Sequence, residues 1–232
     1  MTIGNRVYLK RSLPDPELIQ RFSKLPTADV ADCMSRTSGL SPEIKLQSSP
    51  DSYMCGVALT VKARAGDNLM LHQAMSMAQE GDVIIMSNEG DRSRALMGEM
   101  MYKYLADFKK IAGIVIDGPI RDLNVLANEK CPLYATGSTP VASYKEGPGE
   151  VNVPISIGGV AVMPGDIVLG DLDGVVIIPR KDAAAIIDKA EAVTANDPIK
   201  VKEAASGSID HSWLKGTMEA KKVEFIDDEY SI

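Results

Sequence analysis

Arg121 and Asp122 stand side by side behind the stretch Gly113-Ile-Val-Ile-Asp-Gly-Pro-Ile120, and their types raise the first chemical question. A guanidinium presents a planar fork that fits a carboxylate, and a carboxylate presents hard oxygens suited to a divalent cation. Side by side they could hold an organic acid against a metal. The apolar run Ile114 to Ile116, bounded by Gly113 and broken at Asp117-Gly118-Pro119, predicts a buried strand followed by a tight loop. In open α/β sheets ligands sit beyond the carboxyl ends of the strands, which is where this loop would carry the pair. The same two residues would equally serve as a surface ion pair or a helix cap, neither of which does chemistry.

Other side chains narrow the chemistry. The chain has 2 histidines, His72 and His211, so a metal site would be built from carboxylates and water and would favour magnesium or manganese over zinc. His72, beside Leu71 and Ala74 in a helix-like stretch, reads as a structural histidine able to titrate near neutral pH. The 3 cysteines, Cys33, Cys55 and Cys131, are widely spaced and form no Cys-x-x-Cys, which argues against a disulfide framework or a zinc site. Asp166, Asp171 and Asp173 lie in Gly-rich turns, where they would bond local backbone or ligate a metal. No nucleotide-binding glycine motif or Gly-x-Ser-x-Gly elbow is present. Lys62 is the one Schiff-base candidate and reads as a solvated lysine.

Composition excludes some partners. Lys plus Arg number 25 against 32 Asp plus Glu, a net charge of −7 that argues against nucleic-acid binding. No run of 18 apolar residues exists and the start lacks the apolar core of a signal peptide, so a cytoplasmic protein without membrane contact is expected.

The pair needs elements to position it, and Val57–Val61 and Val83–Met86 read as strands preceding the one at 114–116. Asp67 would cap a helix over 68–79, and Thr27 one carrying Val30 and Met34. Met97, Met100, Met101, Tyr104, Leu105, Phe108 and Ile111 recur at helical spacing, predicting a single core-facing stripe. Strand, helix, strand in this order predicts a parallel βαβ core. A short strand is expected near 132–134. From Asn152 onward, short runs separated by Pro164-Gly165-Asp166 and Asp171–Gly174 predict an antiparallel β section. Lys181–Ala195 reads as a helix, and Asp197-Pro198 as the start of another through Ala205.

These motifs, in this order, resemble the family of the regulator of ribonuclease activity A and the 4-hydroxy-4-methyl-2-oxoglutarate/4-carboxy-4-hydroxy-2-oxoadipate aldolases. The resemblance spans roughly residues 25–205. It rests on Leu25-Pro-Thr-Ala-Asp-Val-Ala-Asp32, Gly81-Asp-Val83, Gly98-Glu99, Asp117-Gly-Pro-Ile-Arg-Asp122, Gly149-Glu-Val-Asn-Val-Pro154, Ile157-Gly-Gly159, Pro164-Gly-Asp166 and Asp171-Leu-Asp-Gly-Val175. It implies a swivelling α/β/β fold over a single domain, 1–232, with an N-terminal arm at 1–24 and a C-terminal helical tail at 181–232. It also implies a class II pyruvate aldolase using Mg2+ or Mn2+ on a small 2-oxo acid, with oxaloacetate decarboxylation as a companion activity, assembled as a homotrimer or homohexamer. A non-catalytic regulator that binds and inhibits a ribonuclease is the alternative. In the aldolase reading Arg121 holds the pyruvate end of the substrate, Asp122 binds the metal, and the amides of Met100 and Met101 receive substrate oxygens. Glu99 orders the metal's waters, and Glu203 does so from a neighbouring subunit. Between Glu99 and Arg121 lie 21 residues, one more than the family spacing, and the extra residue is expected near Asp107–Ile111.

Overall fold

The apolar runs around Leu59, Ile84 and Val115 become neighbouring parallel strands in the computed structural model, which describes residues 3–230. The chain opens with a short edge strand, β1 (Asn5–Val7), then α1 (Pro16–Phe22), α2 (Thr27–Asp32) and β2 (Lys45–Leu46). β3 (Met54–Ala63) leads through α3 (Leu69–Met77) to β4 (Asp82–Ser87), and β4 through α4 (Glu99–Lys103) to β5 (Gly113–Ile116). From there α5 (Leu123–Leu126) returns the chain to β6 (Leu133–Ala135). The pairs β3–β4, β4–β5 and β5–β6 are all parallel, so the expected βαβ core is present and extends on both sides. Val83 and Ile85 of β4 join one hydrophobic cluster, while Ile84 and Met86 join another with Leu71 and Leu105. A strand covered on both faces has no solvent side, which is why its run is continuously apolar.

The antiparallel section comprises β7 (Gly149–Val151), β8 (Ile155–Ile157), β9 (Val160–Val162), β10 (Ile167–Asp171) and β11 (Gly174–Ile178). β8 and β9 form a separate hairpin whose Ile155, Ile157 and Val162 pack on the sheet face opposite α3 and α4. This is an α/β/β layering. β7 and β10 instead rejoin β3 on one edge. Val61 pairs with Val151, and Met54 with Gly170, both antiparallel, because the 10 residues of β3 can serve two short partners in succession. With β1 parallel to β7, the mixed sheet has nine strands among the described residues.

Three local expectations are corrected. Thr27 is not the cap of α2 but its first residue; the carboxylate of Asp171 caps the helix, accepting from Thr27 N–H at 2.9 Å and from its hydroxyl at 2.7 Å. A cap supplied from 144 positions away leaves no local sequence signature. The helical stripe splits, because Tyr104–Phe108 forms a π-turn that shifts the phase after α4. Tyr102, Leu105 and Ile111 are buried, whereas Met100, Tyr104 and Phe108 are exposed. Finally, α6 (Ala183–Ala205) is one helix with Pro198 inside it, not two. Proline removes one donor from the ladder, and the surrounding Ala, Lys and Glu residues are strong enough helix formers to continue through it. Asp67 fits expectation more closely: its carboxylate accepts from Leu69 N–H at 2.9 Å at the start of α3.

The chain divides into two units, one through Ala192 and one from Val193. The second holds the end of α6 and α7 (Ser212–Ala220), whose residues include no buried side chain. No helix among the described residues is long and apolar enough to cross a membrane.

Candidate active site

The loop leaving β5 is held in extended form by backbone bonds on both sides. Leu96 N–H donates to the Pro119 carbonyl and Arg121 N–H to the Met97 carbonyl, each at 2.9 Å. Across the loop, Ile120 N–H donates to the Gly137 carbonyl and Thr139 N–H to the Ile120 carbonyl, also at 2.9 Å. Gly118 is needed at the start: a Cβ there would lie 2.7 Å from both Asn88 Nδ2 and Leu96 Cδ1. The Asp117 carboxylate accepts from Asn88 N–H at 2.5 Å, and Asn88 Oδ1 accepts from Gly66 N–H at 2.8 Å. The loops after β3, β4 and β5 are therefore tied together. Burial pushes Asp117 up to about 6, against the opposing pull of the Asn88 amide and Arg92.

This frame presents Arg121 and Asp122. Asp122 takes the left-handed conformation, φ 62°, which aspartate tolerates better than most residues, and it immediately precedes α5 without bonding the helix amides through its side chain. Its Oδ2 accepts from Glu99 N–H at 2.9 Å and lies 3.8 Å from Arg121 Nε. The turn brings the carboxylate against Gly98, where any Cβ would collide with Oδ2 and approach the Arg121 side chain to 3.0 Å. Both side chains remain nearly half exposed, so the pair opens to solvent.

Arg121 and Asp122 border a cleft of about 140 Å3 that Gly98, Met100 and Met101 also line. Met100 and Met101 stand in the first turn of α4, whose leading amides have no intrahelical acceptor. The structure thus gathers four of the six residues expected from sequence. Glu99 gives its amide to Asp122, but its side chain does not line the cleft, and its charge acts on Lys103 one turn on. Glu203 is exposed in the second unit.

Three further lining residues were missed. Asn68, His72 and Lys145 line the same cleft. Asn68 and His72 are four apart on one helix face, a spacing that could have found them. His72 is exposed on the cleft rather than packed as a structural histidine. Partial burial, then the charge of Lys145, lowers its pKa from the ordinary histidine value.

The donor set suits a hydrated hard cation. Asp122 Oδ1 has no protein partner among the described hydrogen bonds, and no group of three His, Cys, Asp or Glu side chains converges among the described residues. A single free carboxylate oxygen fits magnesium or manganese, which keep several waters and take one or two carboxylates. Arg121 and the α4 amides offer donors for an organic acid beside it. Asp166 and Asp171, by contrast, are engaged with turn and helix amides.

Residues 27–177 match the family described as RraA-like, Aldolase/RraA. A protein of Halalkalibacterium halodurans named "Putative 4-hydroxy-4-methyl-2-oxoglutarate aldolase" is 38% identical over 181 residues, covering 78% of this chain and 85% of that protein. A Thermus thermophilus protein named "4-hydroxy-4-methyl-2-oxoglutarate aldolase" is 36% identical over 114 residues, 49% of this chain and 69% of its own. Among solved structures, Streptomyces coelicolor RraAS2, described as an unusual member of the RNase ES inhibitor RraA protein family, superposes with a TM-score of 0.72. It is 26% identical, and the match covers 84% of this chain and 99% of that one. The chain belongs to the Aldolase/RraA family.

Proposed function

We propose that this cleft is the active site of a divalent-metal-dependent aldolase that cleaves a 4-hydroxy-2-oxo acid to pyruvate. The observation that carries the reading is the Arg121–Asp122 pair, held at a cleft mouth with one carboxylate oxygen unengaged. A ribonuclease regulator would have no need of such an oxygen beside an arginine. In the reaction the C4 hydroxyl loses its proton, the C3–C4 bond breaks, and its electron pair passes into the enolate of pyruvate. The enolate then takes a proton on C3, and the other half leaves as a carbonyl compound. Arg121 binds the C1 carboxylate and faces the charge developing on the C2 oxygen; a fixed donor of this kind is worth about 100- to 1,000-fold in rate. The α4 amides of Met100 and Met101 receive the same end of the substrate. Asp122 would hold the cation, which when bound supplies Lewis-acid stabilisation of the enolate oxygen.

The test is pyruvate release from a panel of 4-hydroxy-2-oxo acids and oxaloacetate. Chelation should abolish it and Mg2+ or Mn2+ restore it. Asp122→Ala should be inactive, and Arg121→Ala should lose both binding and turnover. Full activity after exhaustive chelation, or wild-type rates in both folded variants, would remove the reading.

One hydrated cation on one carboxylate needs further carboxylates to orient its waters. Glu203 of a neighbouring subunit is our candidate, within a ring-closing trimer or hexamer. Mixing inactive Asp122→Ala with inactive Glu203→Ala subunits should regenerate some intact boundaries and part of the activity. Mixed rings, verified by mass, that stay inactive would rule out such sharing.

A further inference from the structure

A second pocket, of about 220 Å3, shares no lining residue with the Arg121–Asp122 cleft. It lies where the end of β3, the start of β7 and the loop after β4 meet, and Lys62, Ala63, Arg64, Glu89, Pro148 and Glu150 line it. The sheet register explains its charge. Lys62 stands directly across the antiparallel β3–β7 pair from Glu150, where opposite charges ordinarily meet. Arg6, across the parallel β1–β7 pair, takes that carboxylate instead, its Nε donating to Glu150 Oε1 at 2.6 Å. Glu150 is buried and neutralised there, and the exposed Lys62 ammonium is left with no ion pair among the described residues. Arg64 reinforces the positive side. Its nearest carboxylates, Asp67 and Glu146, lie at 3.5 and 3.9 Å, longer than a close ion pair.

The negative side is Glu89. It is exposed, forms no ion pair among the described residues, and holds φ 55°, a conformation glutamate rarely adopts. One pocket thus carries an ammonium and a guanidinium together with a carboxylate that neither engages, and Ala63 and Pro148 supply a small apolar wall. A ligand with a single charge would leave the opposite one bare. The ligand that matches both is a zwitterion with a short side chain.

We propose that this pocket is a binding site for a small α-amino acid. Lys62 and Arg64 hold its carboxylate, Glu89 its ammonium, and Ala63 and Pro148 its side chain. The site makes and breaks no bond and stands independently of the aldolase reading.

The experiment is isothermal titration of the full chain with L-alanine, with N-acetyl-L-alanine, which lacks the cation, and with L-alaninamide, which lacks the anion. L-Alanine should bind, and each blocked form should bind about tenfold more weakly, having lost one charge-assisted contact. Lys62→Met should weaken L-alanine about tenfold and leave L-alaninamide unchanged; Glu89→Gln should weaken L-alanine to a similar extent and leave N-acetyl-L-alanine unchanged. Lys62→Arg should keep most of the affinity. Both side chains are exposed, so the variants should fold as the wild type does, which thermal denaturation checks. Wild-type protein that binds none of glycine, L-alanine and L-serine would overturn the site. So would blocked forms that bind as tightly as L-alanine, or full L-alanine affinity in either folded variant, Lys62→Met or Glu89→Gln.

Discussion

Gly98→Ala probes the site through a single methyl group. The backbone there, φ −141° and ψ −171°, is extended and suits any residue, so alanine adds no torsional strain. The methyl acts only on its neighbours. Its Cβ would overlap Asp122 Oδ2 and stand 3.0 Å from Arg121 Cγ and Nε. To restore a normal contact the carboxylate must retreat by roughly 1 Å. It then loses the 2.9 Å bond from Glu99 N–H and its setting beside Arg121. A misplacement of about 1 Å can cost on the order of 100-fold in rate, equivalent to about 2.7 kcal/mol in the barrier. The stability cost is smaller, since the carboxylate is nearly half exposed and water replaces the lost donor. About 1 kcal/mol corresponds to a fall of roughly 2–4 °C in Tm for a chain of this size. Pyruvate release coupled to lactate dehydrogenase should therefore show kcat/KM down about 100-fold while the thermal transition stays within a few degrees. Wild-type kcat/KM in folded Gly98→Ala would mean that Asp122 and Arg121 do no chemistry.

Other perturbations separate structure from chemistry. Asp171→Ala removes the acceptor of both Thr27 donors and should cost about 1–2 kcal/mol by urea denaturation while leaving kcat/KM near wild type; an unchanged midpoint would disprove the long-range cap. Asp117 binds its proton more tightly folded, at about 6, than at its ordinary 3.8. Its contribution is therefore most favourable below pH ~4 and is lost as pH rises through ~6. Asp117→Asn keeps an acceptor for Asn88 N–H, so it should be more stable than wild type at pH 8, by on the order of 1–3 kcal/mol, with the gap closing toward pH 4. A pH-independent difference would contradict this. Deleting the exposed Asp107 should turn the π-turn at Tyr104–Phe108 into α-helix and leave Gly98 and β5 in place, with Tm and turnover close to wild type; unfolding would show that the extra residue is structurally required.

The sequence shows most plainly what is local. Strands β4 and β5 announce themselves because both of their faces are buried, and Asp67 caps α3 from two residues away. Contacts set by distant segments leave no such trace: the Asp171 cap on α2, and the Asn68 amide locked by the Leu96 carbonyl. Residue counting lies between these cases. Between Glu99 and Arg121 lie 21 residues, whose apolar positions keep helical spacing in the sequence but not one continuous face in the fold. There the Tyr104–Phe108 turn widens to i→i+5 and shifts the helical phase. Its effect is confined to the surface, where Met100, Tyr104 and Phe108 lie exposed and the single stripe divides. Gly98 still meets Asp122, and Glu99 N–H still reaches its carboxylate. The bulge that breaks the helical periodicity thus marks the surface, while the Arg121–Asp122 geometry is set by the close approach of Gly98 and the amide of Glu99.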